Sequence, residues 1–189
     1  MNMMKGYGAF FAIAGGLVLR LAVSGGQMFG VGALAGNYML EVVSFALIAA
    51  GALGLQRSSP WFRRASIAAD VLIVLTIAGI PNALPAAAVN AVQTAALVPT
   101  VLLGAMLACA AADLMRAAGR GTLFEWGVLV LWSAGYILWL LLLVPVWTEP
   151  VVLLGGRIGM IALPLGHIAL LLDVFRAQQQ YIRLEVEKR

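Results

Sequence analysis

The chain of 189 residues is 63% apolar and 11% charged, with a formal net charge of +4 and a pI near 9.7. A soluble domain carries about 25% charged residues on a surface that meets water, so this composition excludes an ordinary soluble fold. The basic residues stand in small groups beside apolar runs, which predicts membrane lipids, and no nucleic acid, as partners.

Six apolar runs, broken by charge, glycine or proline, predict transmembrane helices, because roughly 20 apolar residues cross a hydrocarbon core. The predicted fold class is an all-α integral membrane protein, a compact bundle of six transmembrane helices with cytoplasmic N and C termini. Residues 1–177 form the predicted transmembrane domain, and residues 178–189 form a charged cytoplasmic tail that continues the last helix. In chain order the runs cover residues 6–24, 34–55, 66–82, 96–117, 123–146 and 151–175.

Lysine and arginine residues set the predicted orientation, because cytoplasmic loops carry more of them than external loops. With Lys5 inside, the arginine-bearing connections after the second, fourth and sixth runs also fall inside, and the outer connections hold no Lys or Arg. The positive-inside rule therefore predicts a multi-pass protein of the cytoplasmic, or inner, membrane of a prokaryote.

The stretch before the fourth run leaves two alternatives open, since prolines interrupt a long series of small residues. Residues 83–95 either form a short outer helix that lies on the membrane or extend the fourth span into a long, tilted helix bent at Pro99.

A weak internal similarity leaves open whether the chain contains repeats. The sequence Asp-Leu-Met-Arg-Ala at 113–117 is similar to Asp-Val-Phe-Arg-Ala at 173–177. The chain is then either three similar helical hairpins or a six-span protein with evenly spaced loops.

Three ionisable residues within the spans are candidate binding residues, because an ionised side chain at the centre of a span costs about 2.5–3.5 kcal/mol to insert. Arg20, Glu41 and Arg157 are all expected at similar depth near the outer face. Arg20 and Glu41 stand almost symmetrically about a Gly-rich connection, so a salt bridge across the first hairpin is the structural alternative. The functional hypothesis is that Arg157, with Arg20, binds an anionic group in an outward-facing cavity, unless Glu149 pairs with Arg157.

Two further sets of side chains share a helix face. Asn37 lies four residues before Glu41, so the two form a polar stripe that either joins helices or lines a cavity. Trp132, Tyr136 and Trp139 share one face of the fifth span, where they either stack on a planar solute or pack against helices and lipid.

No set of residues in the sequence predicts catalysis, a metal or a cofactor. His167 and Cys109 are the single histidine and cysteine of the chain, which excludes a multi-histidine zinc site, a bis-histidine haem and an internal disulfide within one chain. A catalytic triad would require Ser44 or Ser133 to meet His167 and Asp173, and the spacing does not favour this. We therefore expect no catalytic residue, no metal and no cofactor, and a hydrogen bond within the bundle for His167.

In size, span number and cytoplasmic termini the chain resembles the substrate-binding membrane subunits of energy-coupling-factor vitamin transporters. The small-residue face of Ala9, Ala12 and Gly16 on the first span is the local detail that fits. The sequence thus favours small-solute transport or membrane-embedded substrate binding, with an anionic group met near the outer face. The alternative is a non-catalytic subunit or assembly partner of a larger membrane complex. The expected partners are lipids, a small anionic or planar solute and other membrane subunits.

Overall fold

The computed structural model describes residues 3–29, 37–80, 84–142 and 149–187, and these ranges are almost entirely helical. Six helices are long, and one, α4, has only 10 residues. The all-helical class predicted from the sequence is confirmed. The helices are α1 (Met3–Phe29), α2 (Tyr38–Leu55), α3 (Pro60–Ala78), α4 (Ala86–Ala95), α5 (Leu97–Ala117), α6 (Leu123–Leu142) and α7 (Glu149–Glu187).

The long helices form a closed bundle in which helices that follow one another in the chain are also neighbours in space. α1 packs on α2, α2 on α3, α3 on α5, α5 on α6 and α6 on α7, and α7 packs back on α1. α5 also contacts α7 across the bundle. We call the end where α2 ends and α3 begins the arginine end, because it holds the exposed side chains of Arg57, Arg63, Arg64, Arg116 and Arg120. The opposite end, where α2 begins and α3 ends, is the cavity end.

Local capping explains where several helices begin and end. The Asn37 side chain accepts a hydrogen bond from the backbone N–H of Leu40 at 3.1 Å and caps α2. Ser59 caps α3, with Pro60 in the first helical position, where its missing N–H costs nothing. α3 therefore begins six residues before the predicted run at residue 66. Gly119, at φ 66°, reverses the chain after α5.

The stretch before the fourth run is helical and runs into α5 through the single residue Ala96. α4 ends at Ala95 and α5 begins at Leu97, but Ala96 keeps a helical conformation with φ −64° and ψ −19°, so Ala86–Ala117 is one nearly continuous apolar stretch. Pro99 explains the irregular turn, because its nitrogen has no hydrogen to donate to the preceding turn. The side-chain amide of Gln93 on α4 donates to the Gly79 carbonyl at 3.3 Å, which holds α4 against the end of α3.

Four helical stretches of the described chain are long and apolar enough to cross a membrane. α6 contributes a shorter apolar stretch, Leu123–Leu138, and α3 carries two arginines and an aspartate among its apolar residues. Large apolar side chains are exposed on the outside of nearly every helix. The chain is thus a bundle of apolar helices compatible with a membrane protein. The four stretches are Gly6–Ser24, Tyr38–Leu55, Ala86–Ala117 and Glu149–Glu187.

α7 continues through the predicted boundary at residues 177 and 178 without interruption. Tyr181, in the predicted tail, is buried, and its ring lies 5.6 Å from that of Phe10 on α1. The first turns of the tail therefore pack on the bundle as part of α7. Several parts of the predicted segments lie outside the described residues, namely 34–36, 81–82, 143–146 and 188–189.

Two glycines bring α1 and α2 into close contact. A Cβ atom added to Gly16 would meet the Ser44 carbonyl, and one added to Gly51 would meet the Ala9 carbonyl. On each helix, the missing side chain of a glycine lets the backbone of the other helix approach closely. On α1 this contact lies on the small-residue face expected from the sequence. This contact fixes the register of the first hairpin.

We expect Gly16→Ala and Gly51→Ala each to destabilise the bundle. The added methyl group meets backbone atoms of the facing helix, which cannot rotate away, and overpacking of this kind costs about 1–3 kcal/mol. Thermal unfolding of the purified protein in detergent, followed by circular dichroism, measures the effect as a lower melting temperature.

Gly8→Ala is the matched control on α1, because no heavy atom lies within 4 Å of its added Cβ. Alanine is better than glycine in an open helix by about 0.5–1 kcal/mol, so this variant should melt at the same temperature or higher. Equal losses in all three variants would contradict the close contact of α1 and α2.

Candidate functional site

A cavity of about 410 Å³ opens at the cavity end, between α1, α2, α3, α4 and the start of α5. Pockets of about 300–1,000 Å³ are typical of small-molecule sites. Its walls are partly apolar, from Phe45, Leu72, Leu75 and Leu97, and polar side chains from five helices converge on it. The polar lining consists of Arg20, Tyr38, Glu41, Thr76, Gln93 and Thr100.

Arg20 and Glu41 form an ion pair across the first hairpin, with Nη1 of Arg20 donating to Oε1 of Glu41. The salt bridge predicted as the structural alternative is thereby confirmed. Both side chains are largely buried, at 17% and 18% exposed, and the guanidinium lies over the Phe45 ring at 4.9 Å. The Nε atom of Arg20 has no hydrogen-bond partner among the described residues, so one donor beside the cavity is unused.

The position of Glu41 also suits its charge. It lies in the first turn of α2, where the partial positive charge of the helix N-terminus favours a carboxylate. Asn37 caps the same turn, so its side chain serves the backbone of α2 rather than the cavity lining. The charge at the start of α2 and the ion pair with Arg20 together favour an ionised Glu41 that faces Arg20.

An aromatic cluster of Trp132, Tyr136 and His167 lies beneath the cavity, where α6 meets α7. The Trp132 ring lies 5.0 Å from Tyr136 and 4.7 Å from His167, and its indole N–H donates to the Thr100 carbonyl at 3.3 Å. The Tyr136 hydroxyl lies within the range of a side-chain hydrogen bond to Arg20. The cluster thus connects the Arg20–Glu41 pair with the core of the bundle.

The aromatic rings of the cluster contact one another rather than an open surface. Trp132 and Tyr136 are 3% and 5% exposed, and Trp132 lies directly over Gly104, where a Cβ would collide with its ring. This geometry corresponds to helix packing, the alternative to stacking on a planar solute. Trp139 is helical, and its side chain lies outside the described residues.

Arg157 lies apart from the cavity. It stands on α7, its side chain is exposed, and α7 contributes no residue to the cavity lining. Glu149 is exposed as well, and no ion pair joins it to Arg157 within the described part of the chain. The structure therefore brings Arg20 and Glu41 together and leaves Arg157 elsewhere; its binding role stays a prediction.

Two buried carboxyl groups form a second polar centre near the arginine end. Glu125 on α6 is 1% exposed and Asp173 on α7 is 0% exposed. Glu125 is not among the site residues predicted from the sequence, although its position on α6 could have indicated that it is buried. It lies two helical turns before Trp132 and so on the same face of α6.

No protein-family model matches this chain, and no curated protein or solved structure matches it either. The resemblance to energy-coupling-factor subunits therefore rests on size, predicted span number and the small-residue face of α1. The geometry of the cavity is the basis for assigning a function.

We expect a double-mutant cycle of Arg20→Gln and Glu41→Gln to give a coupling free energy of about 1–3 kcal/mol. Each single substitution leaves a largely buried charge without its partner, whereas the double variant leaves neither charge. Unfolding free energies in detergent provide the measurement.

The ion pair of Asp113 and Arg116 supplies the control cycle. Its N–O distance is 2.8 Å, but the Arg116 side chain is 55% exposed, so about 0.5 kcal/mol or less is expected. A coupling between Arg20 and Glu41 as small as that of the exposed pair would contradict a structural role for the buried one.

Proposed function

We propose that the protein is a membrane-embedded binding protein for a small solute that carries an anionic group, acting as a transporter or as the substrate-binding component of one. The observation that carries the proposal is the cavity of about 410 Å³ with the guanidinium of Arg20 in its wall. A buried cation beside an open cavity is suited to a carboxylate or phosphate group, because guanidinium donors match two oxygens at once.

Glu41 narrows the class of solute. With the ion pair formed, Arg20 and Glu41 together carry no net charge, and an incoming anionic group competes with Glu41 for Arg20. Glu41 then needs a new donor, which an ammonium or hydroxyl group of the same solute supplies. Thr76, Gln93 and Thr100 add neutral polar groups around it. The preferred solute is therefore small and polar and carries a donor next to its anionic group.

We further propose that the bundle crosses the cytoplasmic membrane of a prokaryote six times, with both termini inside and the cavity open to the outside. The support is the distribution of charge: exposed arginines gather at the arginine end, the end that cytoplasmic loops would occupy under the positive-inside rule. The exposed apolar side chains around the helices then face lipid.

Binding is tested by a thermal-shift screen of the purified protein in detergent. The probes are the standard α-amino acids, the matching carboxylic acids without the amino group, and inorganic phosphate. We expect stabilisation by a member of this panel, and about 10- to 100-fold weaker binding in Arg20→Gln, since a hydrogen bond to a charged group contributes about 1.5–3 kcal/mol.

Arg63→Gln is the matched control, because Arg63 is exposed at the arginine end and lies outside the cavity lining. It should bind as the wild type does. Glu41→Gln should reduce the preference for amino acids over the matching carboxylic acids. Binding that survives Arg20→Gln would contradict the proposal. Failure of every probe, with partner chains that co-purify, would favour the alternative of a non-catalytic subunit of a larger membrane complex.

The orientation is tested with single cysteines in a Cys109→Ser background. We expect a membrane-impermeant maleimide to label Ala87→Cys on α4 in intact cells, and to label Arg120→Cys only after the membrane is permeabilised. Both positions are exposed, so burial does not limit either reaction. Labelling of Arg120→Cys in intact cells would reverse the proposed orientation.

A further inference from the structure

The buried carboxyl pair of Glu125 and Asp173 lacks donors. None of their four oxygen atoms accepts a hydrogen bond from the described residues. The two side chains nevertheless lie within the range of a side-chain hydrogen bond to each other. Two carboxylates cannot form such a bond, because an ionised carboxylate only accepts.

Arg176 is the cation of this cluster. It lies three residues after Asp173, and its Nη2 atom is 3.5 Å from Oε1 of Glu125. Its guanidinium also stacks over the Phe124 ring at 4.2 Å, which holds it at the edge of the cluster. One positive charge therefore faces two carboxyl groups.

The other charged groups nearby are engaged or distant in the described structure. On α5, Arg116 pairs with Asp113 at 2.8 Å. On α1, which packs on α7, the described charged side chain is Arg20, and it lies at the cavity end. Arg120 is exposed and lines a surface cavity together with Arg176, Gln179 and Gln180. None of these groups supplies a second counter-ion to the carboxyl pair.

Charge balance then sets the number of protons. With both carboxyl groups ionised, two negative charges would touch in a water-poor interior against the single charge of Arg176, and the repulsion would be poorly screened. With one proton bound, the cluster is neutral, and the contact becomes an O–H···O hydrogen bond. That bond supplies the missing donor to the pair.

A route to water lies beside Glu125. A crevice of about 10 Å³ between α5 and α6 is lined by Glu125, Cys109, Arg116 and Trp126, the last two being exposed. This volume holds about one water molecule. Glu125 therefore lines a crevice whose wall includes the exposed Arg116 at the arginine end, and Asp173 lies behind Glu125.

We propose that Glu125 and Asp173 form a proton-binding site that holds one shared proton and exchanges it with water at the arginine end. On binding, a proton from hydronium in the crevice adds to one carboxylate oxygen and no other bond changes. On release it returns to water, and the cluster is left with one net negative charge. The site lies at the opposite end of the bundle from the cavity, so this inference does not depend on the proposed solute binding.

Infrared spectroscopy of the full-length protein tests the site directly. A protonated carboxyl group has a C=O stretch that an ionised one lacks, and the band shifts when H₂O is replaced by D₂O. We expect this band in the wild type at neutral pH and its loss in alkaline solution. Both Asp173→Asn and Glu125→Gln should abolish it, because a single remaining carboxylate pairs with Arg176 in the ionised form.

Asp70→Asn is the matched control, since Asp70 is an exposed aspartate on α3, and it should leave the band unchanged. A wild-type spectrum without the band at neutral pH would overturn the proposal. So would a band that persists in both variants, which would belong to another carboxyl group. Loss in only one variant would assign the proton to a single isolated group and overturn the shared site.

Melting temperature provides a second measurement that does not require the band to be resolved. The folded state binds one proton more than the unfolded state, so stability is highest in mildly acidic solution and falls as rising pH removes the shared proton. In Asp173→Asn the side-chain amide replaces the protonated carboxyl as donor to Glu125, and the melting temperature should lose this pH dependence. An unchanged dependence in that variant would count against the site.

Discussion

The fold depends on one constraint, the cost of an ionised side chain without a partner in an apolar bundle. The structure meets it twice and in different ways. Near the cavity end, Arg20 on α1 and Glu41 on α2 neutralise each other. Near the arginine end, Arg176 faces two carboxyl groups, so its single positive charge cannot neutralise both of them if both are ionised. The first pair joins two helices, and in the second cluster the proposed shared proton would complete the charge balance.

Helices α6 and α7 carry both the buried carboxyl pair and the aromatic cluster that contacts the walls of the cavity. α6 carries Glu125 near one end and Trp132 and Tyr136 further along, and α7 carries His167 and Asp173 on its buried face. Helices α1 and α2, in contrast, pack closely at Gly16 and Gly51. The bundle thus combines close backbone contact between α1 and α2 with a buried carboxyl pair between α6 and α7.

The sequence predicts those features that depend on neighbours along the chain. The helices and the pairing of Arg20 with Glu41 follow from local pattern or from symmetry about a short connection, whereas the start of α3 at Pro60 lies six residues before the predicted run. The partner of Glu125 could not be found in this way, because it lies on the next helix and only packing brings the two together. Arg157 illustrates the same limit. Its depth can be estimated from the sequence, but on a helix that is apolar on all sides nothing predicts whether a residue faces inward or outward.

Pro164 interrupts the backbone hydrogen bonding of α7, and His167 lies three residues after it. The Nδ1 atom of His167 lies 2.8 Å from the Leu163 carbonyl, and since a carbonyl only accepts, Nδ1 must carry the hydrogen. The imidazole is therefore fixed as one tautomer, with a bare lone pair on the buried Nε2 atom. This hydrogen bond adds a side-chain contact in the turn that follows Pro164, and flipping the ring would remove it. With Nδ1 bonded to the backbone and Nε2 buried without a partner, His167 is poorly placed to transfer protons, and its role is to stabilise α7.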